Sequence, residues 1–220
     1  MAARAAGIAG FLLFIARNIR RMAGTSLPGG RCLLLIAHPD DESMFFAPTL
    51  LNLRRNVDIL CLSNGDKYGK GKIREKELRK VAEHTQARLT ISLLSDGSDW
   101  NKTMVCMYIA KHYLLRPFDV LITFDEKGVS GHKNHISCYE GARLFLRAFR
   151  IQGLFLESKG ILRKYCVDVS AGKISCAVPL MMYMEPVKMM LMHESQMVWY
   201  RYIYVILSNF MSYNDFREIE

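Results

Sequence analysis

The sequence holds 220 residues, of which 50% are hydrophobic and 23% charged. That length supports one well-packed core and excludes two full-sized domains, and the balance excludes a disordered, collagen-like or multi-span membrane chain. With 30 Lys and Arg against 21 Asp and Glu the net charge is +9, which favours an acidic partner such as phosphate, nucleic acid or an anionic lipid surface without choosing among them.

The first recognisable feature is a weakly apolar run over residues 5–16, flanked by Arg4 and by Arg17, Arg20 and Arg21. A helix of that length spans roughly 18 Å, short of the ~30 Å hydrocarbon core of a bilayer, so it is a marginal candidate anchor. No small-residue cleavage site follows it, which argues against removal as a signal peptide. More positive charge lies after the run than before it, so insertion would leave the rest of the chain in the cytosol. Residues 1–30 thus read as an apolar and basic segment closed by a flexible hinge over 24–30.

Beyond the hinge, short apolar runs over 31–37, 57–62, 89–94 and 120–124 read as fully buried strands. Between and after them, 44–55, 72–88, 102–115 and 135–150 carry helical patterning. This alternation predicts a single α/β domain over 31–213, a Rossmann-like parallel sheet with helices on both faces, with ligands bound outside the carboxyl ends of the strands. The stretch 179–213 is rich in Met, Tyr and apolar residues, and Arg201 interrupts its most apolar part. Its aromatics beside a basic residue suit a membrane surface, but packing on the core is the favoured reading. Residues 214–220 read as a tail. The six cysteines form no Cys-x-x-Cys pair and fall mostly in apolar stretches, as buried reduced thiols do in a reducing compartment.

Two stretches carry chemistry. Ala37-His38-Pro39-Asp40-Asp41-Glu42 follows the first strand, and Pro39 forces a turn that presents an imidazole and neighbouring carboxylates at the sheet edge. Adjacent side chains diverge in such a turn, so one aspartate can bind a metal while the other faces the metal's open side. After the 120–124 strand, a glycine-bearing loop leads to His132 and His135, three apart and able to face one point. His38, Asp41 and His135 then make a two-histidine, one-carboxylate set with an open position, an arrangement familiar for catalytic Zn2+, although the same ligands suit Fe(II) or another divalent metal. Two apparent phosphate motifs fail: 69–74 lacks the third glycine of a dinucleotide fingerprint, and no Ser or Thr follows a Gly-Lys pair there. The basic run over 67–80 reads equally well as a solvated helix face and as a cup for an anionic substrate.

Taken together, residues 36–48, then Gly65 with Gly71, Arg74 and Glu77, then 123–125 with 128–135, resemble the zinc-dependent deacetylases of N-acetylglucosaminyl conjugates. The likeness extends to 162–165 and 192–200, and those two stretches point to the branch that acts on a lipid. The resemblance implies His38, Asp41 and His135 as metal ligands, Asp40 as general base, and His132 as the group that stabilises or protonates the reacting amide. It implies Arg74 and Asp99 at substrate-contacting positions, although 96–100 runs into the next helix where relatives carry a longer loop. The implied reaction is hydrolytic N-deacetylation of N-acetylglucosaminyl-phosphatidylinositol in GPI-anchor biosynthesis. The implied setting is the endoplasmic reticulum membrane, with the catalytic domain facing the cytosol and a membrane glycolipid as partner.

Two alternatives remain at this level. One keeps the zinc site and assigns a soluble N-acyl amino sugar conjugate. The other is a non-catalytic basic module for RNA or lipid, which predicts no stoichiometric metal and binding that falls steeply with salt; no RNA-recognition aromatic motif is present, and a nucleic-acid partner is not expected.

Overall fold

Five consecutive apolar residues, Cys32–Ile36, form strand β1, and all five are buried because neighbouring strands and helices cover both faces. The computed structural model describes residues 27–166, 168 and 172–219 together with Leu12 and Ile15. The candidate anchor over 5–16 otherwise lies outside the described residues. After β1 come α1 (Asp41–Met44), α2 (Ala47–Leu53), β2 (Val57–Cys61), α3 (Gly71–Thr85), β3 (Arg88–Ile91), α4 (Lys102–Leu115) and β4 (Val120–Phe124). The chain continues with α5 (Gly128–Gly131), α6 (Lys133–Phe149), β5 (Gln152–Leu156), α7 (Ile161–Tyr165), β6 (Ile174–Ala177), α8 (Glu185–Leu191), α9 (Trp199–Leu207) and β7 (Tyr213–Ile219).

One sheet runs in the order β3-β2-β1-β4-β5-β7-β6. Its first five strands are parallel, with Cys32 opposite Val57 on one side of β1 and opposite Val120 on the other. The expected α/β sheet flanked by helices is therefore present, parallel over these five strands and antiparallel where β7 joins β5 and β6. Strand order reverses between β1 and β4, and the crevice outside their carboxyl ends is where such a sheet binds ligands. Both chemistry-bearing stretches emerge there.

Four local expectations are corrected. β3 is an edge strand whose residues alternate between exposed and half-buried, because among the described residues β2 is its sole strand partner. The helix expected over 44–55 is broken at Phe45 and Phe46, whose side chains turn into the core. Most of the tail expected over 214–220 is β7, antiparallel to both β5 and β6 and buried over its first four residues. Its polar residues are buried because they have partners: Asn214 accepts from the Thr49 hydroxyl at 2.7 Å, and Asp215 takes the Lys159 ammonium at 2.7 Å. Finally, the cysteines are free, but Cys166 is exposed and Cys106 only partly buried. Among the described residues no helix is long and apolar enough to cross a membrane.

Candidate metal and catalytic site

The turn after β1 is held by its own carboxylates. Asp41 Oδ2 accepts the backbone N–H groups of Ala37 at 3.1 Å and His38 at 2.8 Å, which folds the turn back over the strand end. Glu42 accepts the Asp40 N–H at 3.0 Å and the Ser43 hydroxyl at 2.6 Å, and its other partner is His193 Nε2 at 2.6 Å. Within this frame Asp40 takes φ 120, a left-handed conformation that costs a non-glycine residue about 1–3 kcal/mol and persists only where the surroundings overdetermine it.

The second stretch leaves β4 through Asp125, whose carboxylate accepts the Ser158 hydroxyl at 2.6 Å and the Ser158 N–H at 2.7 Å. Ser158 Oγ accepts in turn from the Val129 N–H, so the glycine loop is fastened at both ends. Gly128 sits at φ +60, and a Cβ there would come within 2.9 Å of His135 Cβ. Its carbonyl accepts from His135 Nδ1 at 3.0 Å, which leaves the lone pair of that ring on Nε2. The ring also stacks on Phe124 with centroids 4.0 Å apart. His132 caps α6, its Nδ1 accepting the Asn134 N–H at 3.2 Å, which leaves Nε2 to carry the proton of the neutral ring.

These two stretches converge. His38, His132 and His135 each offer a ligand atom within 4.8 Å of the others. The buried Asp41 carboxylate lies between two of them, with Oδ1 3.1 Å from His135 Nε2 and Oδ2 3.7 Å from His38 Nδ1. Imidazoles oriented by carbonyl and amide neighbours around a buried carboxylate form a donor set that fits a divalent cation. Its electrostatics point the same way. Burial pushes the Asp41 carboxyl up, yet His135 and His38 outweigh it and hold the group well below the usual carboxylate range. His132 is lowered by burial and by its two neighbouring imidazoles, which favours the neutral ring.

Asp40 stands beside this cluster and not inside its ligand set. Its carboxylate is paired with Arg201 Nη1 at 2.5 Å and faces Arg74 Nη2 at 3.7 Å. Arg74 thus reaches the site, but its donors bond the Pro39 carbonyl at 2.8 Å and the Gly65 carbonyl at 3.0 Å, bracing the turn. Gly65 permits this approach, since a Cβ there would lie 2.2 Å from the guanidinium. Asp99, expected at the substrate, is exposed and paired with Lys133 at 3.2 Å, outside the cluster. The short 95–100 loop turns Trp100 inward, 5.9 Å from the His38 ring, and the neighbouring Asp99 points out in consequence. The same loop brings Asp96 to 3.3 Å from His38 Nε2.

Sequence reading missed Asp96, Asn134, Arg201 and the Glu42–His193 pair. Asn134 Nδ2 lies 3.2 Å from His38 Nε2, and a lone arginine in the aromatic run 198–207 was the one signal for Arg201.

Comparison with known proteins identifies the family. Residues 33–146 match the family described as PIG-L: GlcNAc-PI de-N-acetylase. The chain is 39% identical over 208 residues to a probable N-acetylglucosaminyl-phosphatidylinositol de-N-acetylase of Schizosaccharomyces pombe, covering 83% of this chain and 84% of that protein. It is 32% identical over 222 residues to the N-acetylglucosaminyl-phosphatidylinositol de-N-acetylase of Bos taurus, covering 90% and 88%. Among solved structures, N,N'-diacetylchitobiose deacetylase from Pyrococcus horikoshii shares the fold with TM-score 0.67 at 12% identity, over 93% of this chain and 90% of that one. The zinc inhibited form of teicoplanin deacetylase Orf2 does so with TM-score 0.60 at 14% identity, over 76% and 85%. A family match across more than half the chain, with relatives above 30% identity along most of its length, establishes that the chain belongs to the GlcNAc-PI de-N-acetylase family.

Proposed function

We propose that the protein hydrolyses the N-acetyl amide of N-acetylglucosaminyl-phosphatidylinositol, releasing acetate and the free amine, as a step of GPI-anchor biosynthesis. The observation that carries this reading is the strained Asp40 held beside, and apart from, the buried His38, Asp41 and His135, with the exposed His132 against them. His38, Asp41 and His135 are the proposed ligands, and Zn2+ is the divalent metal that this donor set suits best. When bound, the metal supplies Lewis acidity and a water acidified to near neutral pH.

The remaining chemistry belongs to the chain. Asp40 accepts the proton of the attacking water, and Arg201 and Arg74 fix where its carboxylate stands. His132, neutral with its proton on Nε2, donates to the amide oxygen as negative charge develops there. As the new C–O bond forms and the C–N bond breaks, the proton that Asp40 took from the water is passed to the departing nitrogen. Residues 1–30 are proposed to hold the chain on the endoplasmic reticulum membrane with this site on the cytosolic side.

Acetate release is the direct test, with metal restored stoichiometrically because a protein of this fold is described in a zinc-inhibited form. The inositol glycolipid and its water-soluble headgroup glycan are both expected to be deacetylated, and chelator abolishes both reactions. Release from soluble GlcNAc conjugates alone, never from the inositol lipid, would overturn the assignment.

A further inference from the structure

Helices α7 and α9 approach each other next to the catalytic cluster, with Lys164 Nζ 5.1 Å from the Tyr204 ring centroid. A pocket of about 460 Å³ opens between them, lined by Phe45, Lys164, Tyr165, Arg201 and Ile203 among others. Arg201 is both a wall of this pocket and the partner of Asp40, and the Phe45 ring, another wall, lies 5.8 Å from the His135 ring, so the pocket adjoins the cluster.

The inner face of α9 buries Tyr204 and Val205. Its outer face leaves Trp199, Tyr202, Ile203 and Ile206 exposed, and α7 adds Ile161 and Leu162, both exposed. A helix apolar on both faces needs cover on both, and a contiguous apolar rim of this kind marks an interaction surface. Its charge identifies the occupant. Residues 161–165 and 198–207 contain no acidic side chain, Lys164 stands between the two helices, and the whole chain carries +9. Aromatic and aliphatic side chains beside basic ones suit the headgroup boundary of a bilayer.

We propose that the outer face of α7 and α9 rests on an anionic phospholipid bilayer and opens the pocket, and through it the catalytic cluster, at the membrane surface. The inference rests on the glycolipid reading for its purpose, since a lipid substrate would then be reached without leaving the bilayer.

Fluorescence quenching tests it in the full chain. The sequence contains two tryptophans, Trp100 buried and Trp199 75% exposed, so quenching by brominated acyl chains reports on Trp199. In phosphatidylcholine–phosphatidylserine vesicles with brominated chains, the wild type is expected to lose most of the Trp199 emission. Trp199→Phe loses none, and Ile161→Glu combined with Ile206→Glu removes the quenching even where another segment keeps the chain on the vesicle. That double variant should deacetylate the soluble headgroup glycan at the wild-type rate and lose activity on the vesicle-borne glycolipid. Three outcomes overturn the proposal: a wild type that binds vesicles with Trp199 unquenched, a wild type that does not bind them, or a double variant that changes oligomeric state, which would assign the face to a second copy. Quenching with no deacetylation of either substrate would keep the docking surface and reject the functional reading instead.

Discussion

Asp40 combines an unfavourable backbone with a carboxylate gripped by Arg201, and neither feature helps the fold by itself. Strain of about 1–3 kcal/mol at one residue is retained where the geometry it creates is used. Asp40→Asn preserves the shape of the side chain and removes the proposed base. We expect it to keep its metal and lose about 10²–10⁴ in turnover, read by metal analysis beside acetate release. His38→Ala is expected to lose both, and an empty Asp40→Asn protein would refute the separation of base from ligands. Gly128 tests the other stretch. At φ +60 and with His135 Cβ in the way, Gly128→Ala should cost about 1–3 kcal/mol in urea unfolding and weaken metal binding, because His135 must move. Unchanged stability and affinity would show that the loop does not position that ring.

The elements that hold the site come from opposite ends of the chain. After α8, His193 pairs with Glu42, Ser195 donates its N–H and hydroxyl to Glu77 on α3, both at 2.7 Å, and α9 delivers Arg201 to Asp40. His193 and Glu42 are fully buried, and removing one partner of such a pair typically costs about 3–5 kcal/mol, the loss expected for His193→Gln in urea unfolding. Burial alone would depress the His193 ring, but the Glu42 carboxylate beside it prevails and raises it. The contribution of a raised histidine is complete below its unfolded value of about 6.5 and disappears as pH climbs through the higher folded value. The stability gap between wild type and His193→Gln should therefore narrow as pH increases above about 6.5; a gap that widens over that range would contradict the ion pair.

At the scale of the whole molecule, what could be read from sequence follows from what each segment buries. β1, β2 and β4 were legible because a strand covered on both faces is a nearly continuous apolar run, broken only by Asp58 in β2 and Thr123 in β4. β7 was not, because Asn214 and Asp215 look solvent-facing until Thr49 and Lys159 are seen beside them. His38, Asp41, His132 and His135 were legible because they follow strands at the point where such a sheet binds ligands. Asp96 was hidden by the turn that carries it, since the placement of Trp100 decides which aspartate of the loop faces inward. Arg201 was hidden because Asp40, its partner, lies at the far end of the sequence. A metal shared by two distant stretches, as proposed, would also link the site to global stability. At free metal about 100-fold above its dissociation constant, stability should rise by about 2.7 kcal/mol in the wild type and not in His38→Ala, as read by denaturant midpoints.

One titration decides whether turnover depends on a single bound metal. Chelated protein is given Zn2+ in substoichiometric steps while acetate release from N-acetylglucosaminyl-phosphatidylinositol is followed. Turnover should climb in proportion to bound metal and level off at one ion per chain, and His135→Gln should stay inactive throughout. Full acetate release from protein shown to hold no metal would contradict that dependence.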